Sequence, residues 1–249
     1  MLPRDAAEPP PPQPHTVTPR SASPDDLLEL PEYSYTTLLH AVRLRHARYQ
    51  PYTWIGPVLV SVNPCADLGS FAPAMMRRYM APQPTEAPHP FAVVDRALRD
   101  VKRSGGGSAA VLVTGESGAG KTEAVKAMLS FLIAKQGARS PRACDSLVGS
   151  TQALEAFGNA RTLQNSNSSR FGKLAEVALD AATGEVEGAV VVPYMLEASR
   201  VTHRARGERS FHIFYALGGA LREVEEATAQ AVPPPFWGRP ELLPSWAAL

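Results

Sequence analysis

The chain has 249 residues, 44% hydrophobic and 20% charged, with a formal net charge of +1. That length suits one sizeable α/β domain or part of a larger one, and the near-neutral charge gives no electrostatic reason to expect nucleic acid or an acidic membrane as partner. Two cysteines, Cys65 and Cys144, offer neither metal-ligand spacing nor a disulfide framework, and the apolar runs are strand-sized, so a reducing cytosol is expected, with no secretory signal and no membrane span.

Residues 1–26, "MLPRDAAEPPPPQPHTVTPRSASPDD", hold many prolines and few large apolar groups. Proline removes backbone donors, and little apolar surface is available to offset the entropy of ordering, so a disordered tail is expected. A polyproline ligand for an SH3-type partner is the alternative reading of "EPPPPQP". From Leu27 the pattern becomes globular. "YTTLLHAVRLRHARYQ" places Leu38, Leu39 and Val42 on one side of a helix, and "GPVLVSVNP" reads as a β-branched strand ending at Asn63-Pro64. The link "APQPTEAPHP" separates these from a helix in "FAVVDRALRDVK". "RSGGGS" then leads into an expected strand, "AAVLVT".

The strand runs into "GESGAGKTE", where Gly115, Gly120, Lys121 and Thr122 satisfy G-x-x-x-x-G-K-[ST]. Glycines allow successive backbone N–H groups to turn inward as a nest for phosphate oxygens, and the helix that follows adds its N-terminal N–H groups and dipole. Lys121 is expected to reach the β- and γ-phosphates, and the Thr122 hydroxyl to ligate Mg²⁺. Beyond the loop, Val125, Met128, Leu129, Leu132 and Ile133 recur at helical spacing on one apolar face. A chance glycine-rich turn is the competing reading, and the strand before and helix after weigh against it. "KQGARSPRACDS" reads as a surface loop, and "KLAEVALD-AATG-EVEGAVVV" as two strands joined by a turn. The last residues, "VPPPFWGRPELLPSWAAL", show no regular period.

A second polar cluster, Asn165, Ser168, Ser169 and Arg170 in "QNSNSSR", lies just before the first of those strands. Phosphoryl transfer needs hydroxyls, amides and a cation around Mg²⁺ and the γ-phosphate, which this cluster can supply. On its own it equally fits a polar turn leading into a strand.

Taken with the order of the motifs, the sequence resembles the myosin motor head. "GESGAGKTE" is similar to that family's phosphate loop, and "LEAFGNARTLQNSNSSRFGK" to the segment containing its switch I. "YMLEASRVTHRA" and "ERSFHIFYAL" are similar to the segments that follow, and "YTWIGPVLVSVNP" to the strand leading to the adenine-side loop. The likeness runs from about Leu27 to about Ala220, and Phe171-Gly172-Lys173 after "SSR" separates it from kinesins.

The resemblance implies an α/β, P-loop NTPase-type motor head, a mixed central sheet flanked by helices, truncated before switch II. Residues 27–249 would be a partial motor domain without switch II, converter or neck. ATP and Mg²⁺ would be held by Gly115, Glu116, Ser117, Gly118, Ala119, Gly120, Lys121 and Thr122. Ser169 would be the second protein ligand of the metal beside Thr122. Ser168 would contact the γ-phosphate and the attacking water, Asn165 would steady the phosphates, and Arg170 would pair with a switch II glutamate. Asn63 and Pro64 would lie against adenine together with Phe71, where the family usually has tyrosine; Trp54 likewise replaces a tyrosine, and Leu98 an aromatic. The family's D-[IV]-x-G-F-E stretch does not occur in the sequence. The implied activity is an actin-activated, cytoskeletal Mg-ATPase of the cytoplasm, with actin as partner, and light chains not expected without a neck. The alternative for these 249 residues is a non-motile nucleotide-binding or interaction module without hydrolysis. His203 and His212 read as structural.

Overall fold

The computed structural model describes residues 24–81, 85–138 and 141–228, with side chains omitted for 141–148 and 223–228. The described residues fall into two compact units, one reaching to Leu68 with Ala87–His89, the other comprising Gly69–Glu86 and the chain from Pro90 onward.

In the first unit, Ser34 opens helix α1 (Tyr35–Ala47). Its hydroxyl accepts from the Thr37 N–H while the Thr37 side chain receives the Ser34 N–H, a reciprocal cap that satisfies two otherwise unpaired donors. A 3₁₀ turn at Leu27–Glu29 is capped by Asp26, and Leu27, Leu30 and Ala41 form a small core against Leu38 and Val42. Strands β1 (Tyr52–Ile55) and β2 (Val58–Ser61) pair antiparallel across Gly56-Pro57, where Gly56 takes φ +58. A two-residue hairpin loop favours glycine at that first position. Trp54 is buried. Arg45, 5% exposed, donates to the carbonyls of Pro24 and Tyr52 and to the Asp25 carboxylate. Pro24, Asp25 and Asp26, assigned to the tail by composition, therefore belong to this unit: their carbonyls and carboxylates satisfy a buried guanidinium and a turn. The rest of the expected tail, 1–23, lies outside the described residues.

In the second unit, α2 (Pro73–Met80), α3 (Pro90–Arg103) and α4 (Lys121–Gln136) share an aromatic seam. Phe91 and Phe131 are fully buried and stack 4.6 Å apart at 13°, with Tyr79 edge-on to Phe91. Lys135 closes the seam, donating to the buried Asp95 carboxylate at 2.5 Å and to the Tyr79 carbonyl at 3.0 Å. Leu98 is buried on α3.

The expected loop "KQGARSPRACDS" is shorter than anticipated, because helix α5 (Pro141–Gly158) already begins at Pro141. Proline suits the first helical position, where its missing N–H has no intrahelical partner to lose. Short strands β3 (Asn159–Ala160) and β4 (Ser168–Ser169) pair with each other. The expected hairpin forms as β5 (Gly172–Leu179) and β6 (Val186–Tyr194). Its turn is tied by the Asp180 carboxylate, which accepts the N–H groups of Ala182 and Thr183. Helix α6 (His212–Thr228) follows.

The α/β content agrees with expectation, whereas among the described residues the ladders are three antiparallel pairs. The run Ala109–Thr114 carries no ladder at all, and its Leu112 is 88% exposed. Strand structure requires a hydrogen-bonding neighbour, which apolar composition does not provide by itself. Among the described residues no helix is long and apolar enough to cross a membrane.

Candidate nucleotide site

The glycine loop has the backbone its motif requires. Gly115, Gly118 and Gly120 adopt φ of +149, +82 and +89, a region that costs residues with a Cβ about 1–2 kcal/mol each. Gly120 caps α4 in a left-handed conformation with no side-chain cap bond, so the first turn of a 16-residue helix presents its N–H groups and dipole to the loop. The Lys121 ammonium lies across the loop, donating to the carbonyls of Gly115 (2.7 Å) and Glu116 (2.6 Å). The turn is tightened by Ala119 N–H on the Glu116 carbonyl.

The polar cluster meets this loop. The Ser168 hydroxyl, on a residue only 1% exposed, lies 2.8 Å from that of Ser117. A Cβ on Gly118 would come 3.7 Å from the Asn165 amide nitrogen. Asn165 is fixed by a turn: the Thr162 hydroxyl accepts its N–H, and its carbonyl accepts the Thr162 N–H. The short β3–β4 pairing carries Ser168 and Ser169 to the loop across 51 residues of sequence. Thr122 and Ser169 line the same cavity of about 1000 Å³, at the end that also holds Lys121. Further along α4 it is walled by Val125 and Leu129, with Val94 and Leu98 of α3 and Val177 of β5, and Lys102, Glu155 and Asp180 also line it.

Arg170 donates through Nη1 to Ser168 Oγ at 3.1 Å and through Nε to Glu197 Oε2 at 2.5 Å. Glu197 is gripped in turn by Arg200, 4% exposed, in a two-pronged contact of 2.9 and 3.2 Å. The Arg200 guanidinium, more than that of Arg170, holds the Glu197 carboxyl below the usual carboxylate range, overcoming a burial effect of opposite sign. Along α4, burial opposes the Lys126 charge, yet Glu155 and Glu123 prevail and raise its pKa, while burial lowers that of Lys173.

Asn63 and Pro64 belong to the first unit, where the Asn63 side chain accepts the Cys65 N–H. Phe71, in the second unit, packs 6.0 Å from Phe91. His212 contacts Asn167 at 3.1 Å. Glu197 and Arg200 escaped the sequence reading as members of the site. Their i,i+3 spacing in "LEASR" was visible, but no helix pattern or motif linked it to Arg170, 27 residues earlier.

The myosin head (motor domain) family matches residues 24–231. The chain is 39% identical over 213 residues to myosin IA heavy chain of Dictyostelium discoideum, covering 84% of this chain and 21% of that protein. It is 47% identical over 190 residues to unconventional myosin-Ic of Bos taurus, covering 74% and 17%. With human unconventional myosin-XV the identity is 39% over 201 residues, covering 79% and 6%. It thus spans about a fifth or less of the length of these relatives. A phosphate loop joined through Ser117 to a serine-rich partner segment, within a match covering most of the residues, makes this chain a member of the myosin head family.

Proposed function

We propose that this chain carries the nucleotide site of an actin-based motor ATPase and that the site takes Mg-ATP. The observation that carries the reading is the 2.8 Å approach of Ser168 to Ser117, which joins the glycine loop to the segment resembling switch I. Family membership supports the nucleotide, the metal, a cytoskeletal setting and actin as partner. Residues 27–249 then correspond to part of a motor domain.

The residues fit the ligand. Three glycines in conformations that disfavour a Cβ open a cradle of backbone N–H groups, and Gly120 has no atom within 4 Å of where its Cβ would stand. Lys121 supplies the cation, Asn165 and Ser168 supply polar groups for the phosphates, and Thr122 and Ser169 supply the hard oxygens that Mg²⁺ prefers. Bound magnesium would neutralise charge developing on the phosphates. Within this second unit, Phe71 is the proposed adenine contact. Phenylalanine offers an apolar face without the hydroxyl hydrogen bond of the family's tyrosine, at a cost of about 0.5–1.5 kcal/mol in base affinity.

Titration with a fluorescent Mg-ATP analogue tests the site: Lys121→Ala abolishes binding that the parent chain displays. Unaltered binding overturns the assignment.

For these 249 residues by themselves, binding without turnover is the second reading. Its support is the engagement of Arg170 by Glu197, since the resemblance assigns that guanidinium to a switch II glutamate and the sequence contains no D-[IV]-x-G-F-E stretch. Single-turnover hydrolysis is expected near background, and turnover typical of a motor head overturns it.

A further inference from the structure

Glu197 lies in neither the glycine loop nor the serine-rich cluster, yet it stands between a buried arginine and the Ser168 side of the site. We infer that Glu197 is a positioning residue that acts through Arg170 to orient the Ser168 hydroxyl, and so sets how well the site distinguishes a triphosphate from a diphosphate. This rests on the reading that the site takes Mg-ATP.

The contacts form one continuous chain. Arg200, 4% exposed, is held by the Glu208 carboxylate at 2.9 Å and by the Arg209 carbonyl at 3.2 Å. Its fork fixes both oxygens of Glu197. Glu197 meets Arg170 twice, through its carboxylate and through its backbone N–H on the Arg170 carbonyl at 2.9 Å. Arg170 then donates to Ser168 Oγ. A serine hydroxyl has one hydrogen to give and lone pairs to receive. With one lone pair occupied by the Arg170 hydrogen, the Ser168 hydrogen is biased away from the guanidinium and towards the loop, where Ser117 Oγ lies 2.8 Å away and where a phosphate oxygen would accept it. Without the carboxylate the guanidinium is free to swing, and the hydroxyl loses that bias.

Simple electrostatics makes the opposite prediction, which keeps the inference testable. Arg170, Arg200, Glu197 and Glu208 sum to zero formal charge. Neutralising Glu197 adds one positive charge beside an anion site, and charge alone would tighten binding of the more anionic ligand. Positioning predicts that the triphosphate is weakened instead.

The experiment uses the full 249-residue chain with Mg²⁺, a non-hydrolysable ATP analogue and ADP, measuring both affinities by titration. Glu197→Gln lowers affinity for the triphosphate analogue about tenfold, the scale of one charge-supported hydrogen bond of about 1.4 kcal/mol. Affinity for ADP changes less than about twofold, because the loop amides and Lys121 remain. Glu208→Gln loosens Arg200 one link further from Ser168 and leaves the Glu197–Arg170 contact itself in place, so it lowers the ratio of affinities less than Glu197→Gln does even where it lowers the thermal midpoint as much; an equal or larger fall of the ratio overturns the inference. An unchanged or increased ratio in Glu197→Gln overturns the inference while leaving the nucleotide site standing. A parent chain that binds neither nucleotide overturns both. If Glu197→Gln fails to fold, Glu197→Asp decides the matter: it keeps the charge but is one methylene short of Arg170, so reduced triphosphate preference supports positioning and an unchanged preference overturns it.

Discussion

The two ends of the cavity beside α4 are built on different principles. At the N-terminal end of the helix a few directional contacts suffice: Ser117 on Ser168 joins segments 51 residues apart, while Arg170 on Ser168 and Lys121 on the loop carbonyls tie each segment locally. Along its flank, Val125 and Leu129 line the same space as the unladdered run at Val111 and Leu112. The polar end is completed by hydroxyls, amides and backbone conformations belonging to short stretches of chain. The apolar end needs area, and the described residues leave a cavity where packing is required. The glycine loop thus holds its conformation although the run leading into it carries no ladder.

The largest effect is expected on the other face of α4, where the helix is well packed. Phe131→Ala removes a fully buried ring from its stack on Phe91 and should cost about 3–5 kcal/mol, a large part of the stability of an ordinary domain. Urea unfolding of the variant measures it. A loss below about 1 kcal/mol would mean that the aromatic seam does not anchor the helix, and the contrast between its two faces would collapse.

The polar end is sharpened by acid. The folded-state pKa of Glu197 lies below its ordinary value of 4.5 because Arg200 and Arg170 favour the carboxylate. Its contribution to stability is therefore fully present above pH 4.5 and is lost as pH falls from there through the depressed value. Glu197→Gln should flatten the fall of the unfolding midpoint below pH 4.5 while changing little of its slope near neutrality. An identical acid slope in parent and variant would place little of the acid sensitivity in this cluster.

The same contrast explains what could be read from residues in order. The conformation of the glycine loop was legible because the motif is a backbone written in sequence, and Gly115, Gly118 and Gly120 take the positive φ values it calls for. The hairpin β5–β6 was legible because both its strands and its turn lie within one short stretch. The strand expected at Ala109–Thr114 was not realised, since a ladder depends on a neighbour that local composition cannot specify. α5 began earlier than expected because Pro141, read as a loop residue, is equally at home as the first residue of a helix. Glu197 remained invisible as a site residue for a related reason: its partnership with Arg170 is created by the fold, and an acidic residue in "LEASR" has no local mark of it.

The smallest effect tests the apolar end most directly. Leu112 is 88% exposed despite lying in a run that reads as a strand, so Leu112→Lys removes almost no buried area. Its cost should stay within about 0.5 kcal/mol, the range of an ordinary surface substitution, as read from the urea midpoint of the full chain. Fully burying a leucine is worth about 1.5–3 kcal/mol, and introducing an ammonium into such a place costs more. A loss of about 2 kcal/mol or more would therefore mean that Leu112 is covered in solution, and that the flank of α4 is as fully packed as its aromatic face. A negligible loss, beside a large one in Phe131→Ala, would establish that one helix can be anchored firmly on one side while the apolar wall on its other side contributes little to holding the phosphate loop in place.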